Sequence, residues 1–346
     1  MRLSTFTVAL VLALPLAAQR GDGPPRGRGP RPQASPVELK NFDFREVEFA
    51  SKNLADGSGR MGVYLPKGAG DEANKDKTWP LVVWLHGFGG YEEFQWQGGS
   101  KTLDELRGKG EIPDVVFAAF EAPGGRRGRS VYVNGERSGK IEDAIVQDLI
   151  GHAVKELHAS PDRAQHAIMG VSIGGFGALK IAMKHPDVFG AVAAHSSAIF
   201  ADDPDKLPPQ FQPQIARYMQ MGLAEVFGNP IDKVKWAAEM PMGLARSAPK
   251  DAFAKLRIYF DAGTEDRYGF AAPNTELSKL MDERGIAHTY RLVEGGGHAW
   301  GSDSMLDNLR QSLRFVAAAF AGKDVESKPA ATPAAEPART GGDAGK

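Results

Sequence analysis

Gly170-Val171-Ser172-Ile173-Gly174 sets a hydroxyl between two glycines, where an apolar run gives way to a segment rich in helix formers. A serine on a sharp strand-to-helix turn is presented as a nucleophile, and small neighbours let adjacent backbone pass close to it. The helix that follows turns its first N–H groups toward any anion formed beside the serine. A serine there could also serve only as a helix cap. The buried strand pattern before it and the glycine on each side favour the nucleophile.

A serine hydroxyl is weak near neutrality and needs a positioned base. His298 follows Gly295-Gly296-Gly297 in a loop after the last strand pattern and precedes Trp300 and a C-terminal helix pattern. His288 falls inside a strand pattern, His185 stands at a helix end before Pro186, and His152, His158 and His166 read as solvated. Asp261-Ala262-Gly263-Thr264-Glu265-Asp266 offers three carboxylates after a strand. Asp266 lies furthest into the loop and is favoured to orient His298. Asp261 is its main competitor, and Glu265 is the weaker choice. A tetrahedral intermediate also needs donors aimed at its oxyanion. The Ile173 N–H and the Phe88 N–H, in His86-Gly87-Phe88-Gly89-Gly90, are the candidates.

Other chemistries find little support. The chain has no cysteine, which excludes disulfides and thiolate chemistry. Its histidines lack metal-ligand spacing, and no nucleotide-binding glycine fingerprint is present, so no metal and no cofactor are expected. Lys and Arg (42) nearly balance Asp and Glu (43), which argues against a nucleic-acid partner. The basic run Arg126-Arg127-Gly128-Arg129 reads as a solvated loop that could approach an acidic or sugar-rich substrate.

These residues need a scaffold. Strand patterns fall at Arg45–Phe49, Arg60–Leu65, Leu81–Leu85, Val115–Phe120, His166–Val171, Ala191–His195, Leu256–Ala262 and His288–Val293. Helical patterns follow Ile141, at Gly174–Lys184, at Thr275–Arg284 and at Ser304–Phe320. Such alternation predicts an α/β fold: a mostly parallel sheet with helices on both faces and an antiparallel N-terminal edge. Residues 201–250 break the alternation with seven prolines and read as short helices forming a lid or substrate-binding insertion.

The ends look different. Arg2 and the apolar run Phe6–Ala18 have the layout of a secretory signal, with cleavage expected after Ala18. The run is too short for a membrane span, which needs about 20 residues. Residues 19–36 are Pro/Gly/Arg-rich and read as a linker, and 323–346 as a disordered tail. The folded unit is placed at 37–322, in a secreted or periplasmic protein of unassigned oligomeric state.

Taken together, Val63-Tyr64-Leu65-Pro66, Leu85-His86-Gly87, Ile141 to Leu149, Met169 through Phe189, Asp261 to Asp266 and Gly295-Gly296-Gly297-His298-Ala299-Trp300 resemble the esterase D or putative-esterase family of α/β-hydrolases. That group holds feruloyl and acetyl-xylan esterases, enterochelin esterases, S-formylglutathione hydrolases and mycolyltransferases. The resemblance implies an α/β-hydrolase fold and a Ser172–His298–Asp266 triad acting on carboxylic esters of small molecules or polysaccharides. Secreted relatives that cleave carbohydrate-linked acetyl or feruloyl esters fit the export signal. Acyl transfer to a sugar hydroxyl is the rival activity, and a non-catalytic carbohydrate-binding module the rival of a different class. Tyr132 stands where relatives often carry tryptophan, and Tyr132 and Trp300 are expected at the substrate cleft.

Overall fold

The computed structural model describes residues 38–123, 131–136, 139–249, 251–300 and 303–323. The signal-like segment, the linker, Arg126–Arg129 and the tail beyond Lys323 lie outside them.

Every expected strand forms, with ends moved by at most three residues: β1 (Phe42–Ala50), β2 (Ser58–Pro66), β3 (Leu81–Leu85), β4 (Val116–Glu121), β5 (His166–Val171), β6 (Ala191–His195), β7 (Arg257–Gly263) and β8 (Thr289–Val293). They build one sheet in the order β1-β2-β4-β3-β5-β6-β7-β8. The β1–β2 and β2–β4 pairs are antiparallel, and all later neighbours are parallel.

Strand period two divides the core. Leu81, Val83 and Leu85 face one apolar cluster, whereas Val82 and Trp84 face a second. Both faces are therefore covered, which is why the central strands read as unbroken apolar runs. The first cluster lies under α3 (Ile141–Asp143), α4 (Ile150–Glu156), α5 (Ile173–Lys184) and α10 (Ala271–Arg284). A π-helical stretch, Ala144–Leu149, joins α3 to α4 and keeps Ile145 and Leu149 buried. The second cluster lies under α1 (Glu93–Trp96), α2 (Gly99–Gly108) and α11 (Asp303–Phe320). Among the described residues no helix is long and apolar enough to cross a membrane.

The insertion holds α6 (Gln212–Tyr218), α7 (Ala224–Phe227), α8 (Lys233–Glu239) and α9 (Pro241–Ser247). Phe211, Tyr218, Phe227 and Trp236 join the first core cluster, and Trp236 Nε1 donates to the Ala201 carbonyl at 2.8 Å. Aromatic burial thus anchors this proline-rich stretch to the body of the domain.

Candidate active site

Ser172 sits between β5 and α5 at φ 58° and ψ −120°. A non-glycine residue reaches that left-handed region only when its surroundings hold it there. Its N–H donates to the His195 carbonyl at 2.8 Å, and its carbonyl accepts from Phe176 at 3.0 Å and Ala198 at 2.9 Å. The flanking glycines are sterically required. A Cβ on Gly174 would lie 2.1 Å from the Leu85 oxygen, and one on Gly170 would lie 2.3 Å from the Gly174 oxygen.

Helix α5 is tied down from below. Lys180 Nζ, fully buried, donates to Glu142 at 2.6 Å, to Glu239 at 2.9 Å and to the Tyr132 carbonyl at 2.5 Å. Lys184 bridges the same two carboxylates, and His185 Nε2 lies 2.8 Å from Glu142. Burial by itself would raise the Glu142 carboxyl, but His185, Lys180 and Lys184 outweigh it and hold the group well below the usual carboxylate range.

The turn after β7 and the loop after β8 are knitted together. Thr264 and Glu265 N–H groups donate to the Val293 and Gly296 carbonyls at 3.0 and 2.8 Å. His298 Nδ1 then lies 2.8 Å from Asp266 Oδ2, while Asp266 Oδ1 accepts from the Tyr268 N–H at 2.8 Å. A carboxylate only accepts, so Nδ1 carries a proton, and in the neutral ring the lone pair is left on Nε2. The Tyr268 ring meets the imidazole edge-on at 4.6 Å. Ser172 and His298 line one cavity of about 440 Å³, together with Phe88, Glu93, Trp96, Gln97, Arg267, Tyr268 and Trp300. No hydrogen bond joins Ser172 Oγ to the His298 ring among the described residues.

His86 shapes the turn after β3. Its Nδ1 lies 2.8 Å from the Gly87 carbonyl, and its Nε2 accepts from the Ala122 N–H at 3.0 Å. Those partners require the neutral ring protonated on Nδ1. Burial pushes its pKa down to about 4, against the opposing pull of the Gly87 carbonyl and the Glu92 charge. Glu93 accepts from the Gly87 N–H at 2.5 Å, and Phe88 follows on the cavity wall. Ile173 opens α5 directly after Ser172 and is buried.

Several expectations need correction. Tyr132 is fully buried and absent from the cavity wall. Its hydroxyl donates to the His86 carbonyl at 2.8 Å, and its ring occupies the space a Gly177 side chain would need. It supports the turn after β3, and burial pushes its phenol well above the ordinary value. Among the described residues, the insertion supplies none to the cavity wall. It reaches the rim through Phe88, whose ring meets Tyr218 at 6.1 Å and the Arg217 guanidinium at 5.3 Å. His166 is buried between the Ser160 and Val188 carbonyls rather than solvated. Asp261 is fully buried and gives its carboxylate to His195 at 2.7 Å, away from His298. Trp300 does line the cavity, its ring tilted against Trp84 at 5.0 Å.

Five wall residues carried no signal of their own: Glu93, Trp96, Gln97, Arg267 and Tyr268. Arg267 and Tyr268 directly follow Asp266, and Glu93, Trp96 and Gln97 lie on or beside the short helix α1 that comes after the Gly87–Gly90 turn. Trp96 (43% exposed) and Tyr268 (36% exposed) are large aromatic surfaces left open to solvent. Among the described residues no cluster of His, Asp and Glu could hold a metal.

Similarity to known proteins agrees with this architecture. Residues 53–305 match the family model described as putative esterase. A ferulic acid esterase structure is 24% identical with a TM-score of 0.63, over 81% of this chain and 100% of its own. An S-formylglutathione hydrolase from Agrobacterium tumefaciens is 16% identical with a TM-score of 0.61, over 81% of this chain and 100% of its own. A fluorophosphonate-binding serine hydrolase of Staphylococcus aureus is 14% identical with a TM-score of 0.64, over 80% and 99%. At these identities the solved structures speak for the α/β-hydrolase fold. The match to the family model spans most of the sequence, and the chain belongs to the putative esterase family.

Proposed function

We propose that Ser172, His298 and Asp266 form the catalytic triad of a secreted serine esterase. The observation that carries this reading is the Asp266–His298 hydrogen bond, with the imidazole opening on the cavity that holds the strained Ser172. Ser172 Oγ attacks the ester carbonyl carbon as His298 Nε2 takes its proton. The Phe88 and Ile173 N–H groups receive the oxyanion. Collapse of the intermediate expels the alcohol, protonated by His298, and leaves an acyl group on Ser172. Water, deprotonated by the same nitrogen, releases the acid. Asp266 stays ionised and holds the ring in its productive tautomer. Catalytic hydrogen bonds of this type tighten on substrate binding, which brings Nε2 to Oγ.

The wall chemistry favours a polar, ring-bearing substrate. Trp96 and Tyr268 offer flat faces, and Glu93, Gln97 and Arg267 offer hydrogen bonds at the same cavity. Acetyl or feruloyl esters of carbohydrates meet both requirements, and the export-signal layout of residues 1–18 supports an extracellular or periplasmic site of action. Turnover of p-nitrophenyl acetate is the basic test: Ser172→Ala is expected to lose several orders of magnitude in kcat. Wild-type turnover in that variant places the nucleophile elsewhere. A panel of acetyl, feruloyl and longer-chain esters, free and xylan-linked, then ranks the substrate classes.

A further inference from the structure

A second hydroxyl–imidazole–carboxylate chain lies near the candidate site. Ser312 Oγ stands 3.0 Å from His195 Nε2, and His195 Nδ1 stands 2.7 Å from Asp261 Oδ2. All three residues are fully buried, so no ester reaches this hydroxyl. Three apolar side chains would fill the space at a lower desolvation cost. What the polar chain adds is direction, because hydrogen bonds fix orientation where apolar contacts slide.

Each member belongs to an element next to one of the candidate catalytic residues. His195 ends β6, and its carbonyl takes the Ser172 N–H at 2.8 Å. Asp261 lies in β7, which runs into the Asp266 turn, and its carbonyl takes the Ser196 N–H at 2.9 Å. Ser312 lies in α11, which follows the His298 loop. Two further contacts close the ring. Ser196 Oγ accepts the N–H of Ala299 at 3.1 Å, and the His195 and Trp300 rings meet edge-on at 5.3 Å. Ser196 and Ala299 both sit at positive φ, 43° and 57°, conformations that must be held from outside.

We propose that the Asp261–His195–Ser312 chain positions Ser172 against His298 by binding the ends of β6 and β7 to α11. The inference rests on the triad assigned above. These are positioning residues, since none of them touches substrate. Loosening the chain broadens the Ser172–His298 separation and slows the chemical step. The wall contacts from Trp96 and Tyr268 stay in place, so KM holds.

The test is Ser312→Ala, which removes the anchor without adding bulk, assayed per active site after fluorophosphonate titration. The expected result is a fall in kcat of about ten- to a hundredfold, with KM for p-nitrophenyl acetate within about twofold. Ser312→Thr and Ser312→Val add nearly the same volume and differ by the hydroxyl, so Thr recovers activity that Val does not. Wild-type kcat per titrated site in Ser312→Ala, or equal kcat for Thr and Val, overturns the proposal. Should those two variants fail to fold, His195→Asn replaces them. It keeps a donor for Asp261, loses Ser312, and is expected to lower kcat in the same way; unchanged kcat there also overturns the proposal. Ser172→Ala is run alongside. Activity surviving in it removes the triad itself, whereas an inactive Ser172→Ala beside a fully active Ser312→Ala removes only this inference.

Discussion

Asp266 holds His298 through one contact, Oδ2 to Nδ1 at 2.8 Å, while Asp261, on the strand just before, spends its carboxylate on His195. Two aspartates on one strand-and-turn segment thus serve two different imidazoles. Asp266→Asn is expected to lower kcat by about 10³- to 10⁴-fold, because an amide N–H facing Nδ1 favours the wrong tautomer. Asp261→Asn is expected to cost far less per titrated active site. The reverse ranking in p-nitrophenyl acetate assays would exchange their roles.

Tyr132→Phe separates a supporting role from a substrate contact. The His86 carbonyl loses its 2.8 Å donor inside the core, a loss of about 1–3 kcal/mol in urea unfolding. The relative rates on acetyl, feruloyl and longer acyl esters are expected to stay unchanged, since the ring lies off the cavity wall. A changed acyl preference at full stability would return Tyr132 to the cleft.

The scaffold was legible because burial on both sheet faces leaves unbroken apolar runs such as Leu81–Leu85, and the elbow because close backbone approach demands glycine at 170 and 174. Asp266 could be preferred over Asp261 from its depth in the loop. The environments of Tyr132 and His195 could not be read, because both depend on register. His195 faces Asp261 only through the pairing of β6 with β7, and Tyr132 meets Gly177 of α5 only through a tertiary contact between segments far apart in sequence. Helix α1 hid for another reason: Glu93–Trp96 is too short to show a period. The insertion reads as a lid from its prolines, yet its aromatic residues are spent on the core.

His86 makes a prediction about pH. Its pKa falls from an ordinary 6.5 when unfolded to about 4 when folded, so the unfolded chain binds the extra proton first. Stability is undiminished above pH 6.5, declines as pH falls toward 4, and loses about 3 kcal/mol from this group across that window. Thermal melts of the wild type and His86→Asn between pH 4 and 7 check it. The variant is expected to be less stable at pH 7 and to show the shallower pH dependence. Parallel curves would contradict the assignment.

Glu142 acts in a lower window. Its carboxyl is depressed in the folded state, so its contribution is complete above the ordinary 4.5 and is lost as pH falls through the folded value. Glu142→Gln is expected to flatten the acid limb below pH 4.5. Lys180→Met, which leaves buried Glu142 with fewer partners, is expected to cost about 3 kcal/mol in urea unfolding at pH 7. A neutral Lys180→Met would mean that Lys184 and His185 suffice.

Intact-mass and peptide analysis after fluorophosphonate labelling tests the central claim most directly, because it asks which hydroxyl an imidazole has activated. One adduct per chain is expected, on the peptide containing Ser172, and it should disappear in His298→Ala while surviving in Ser312→Ala. An adduct on Ser312 or any other residue, or labelling of Ser172 that does not depend on His298, would contradict the account.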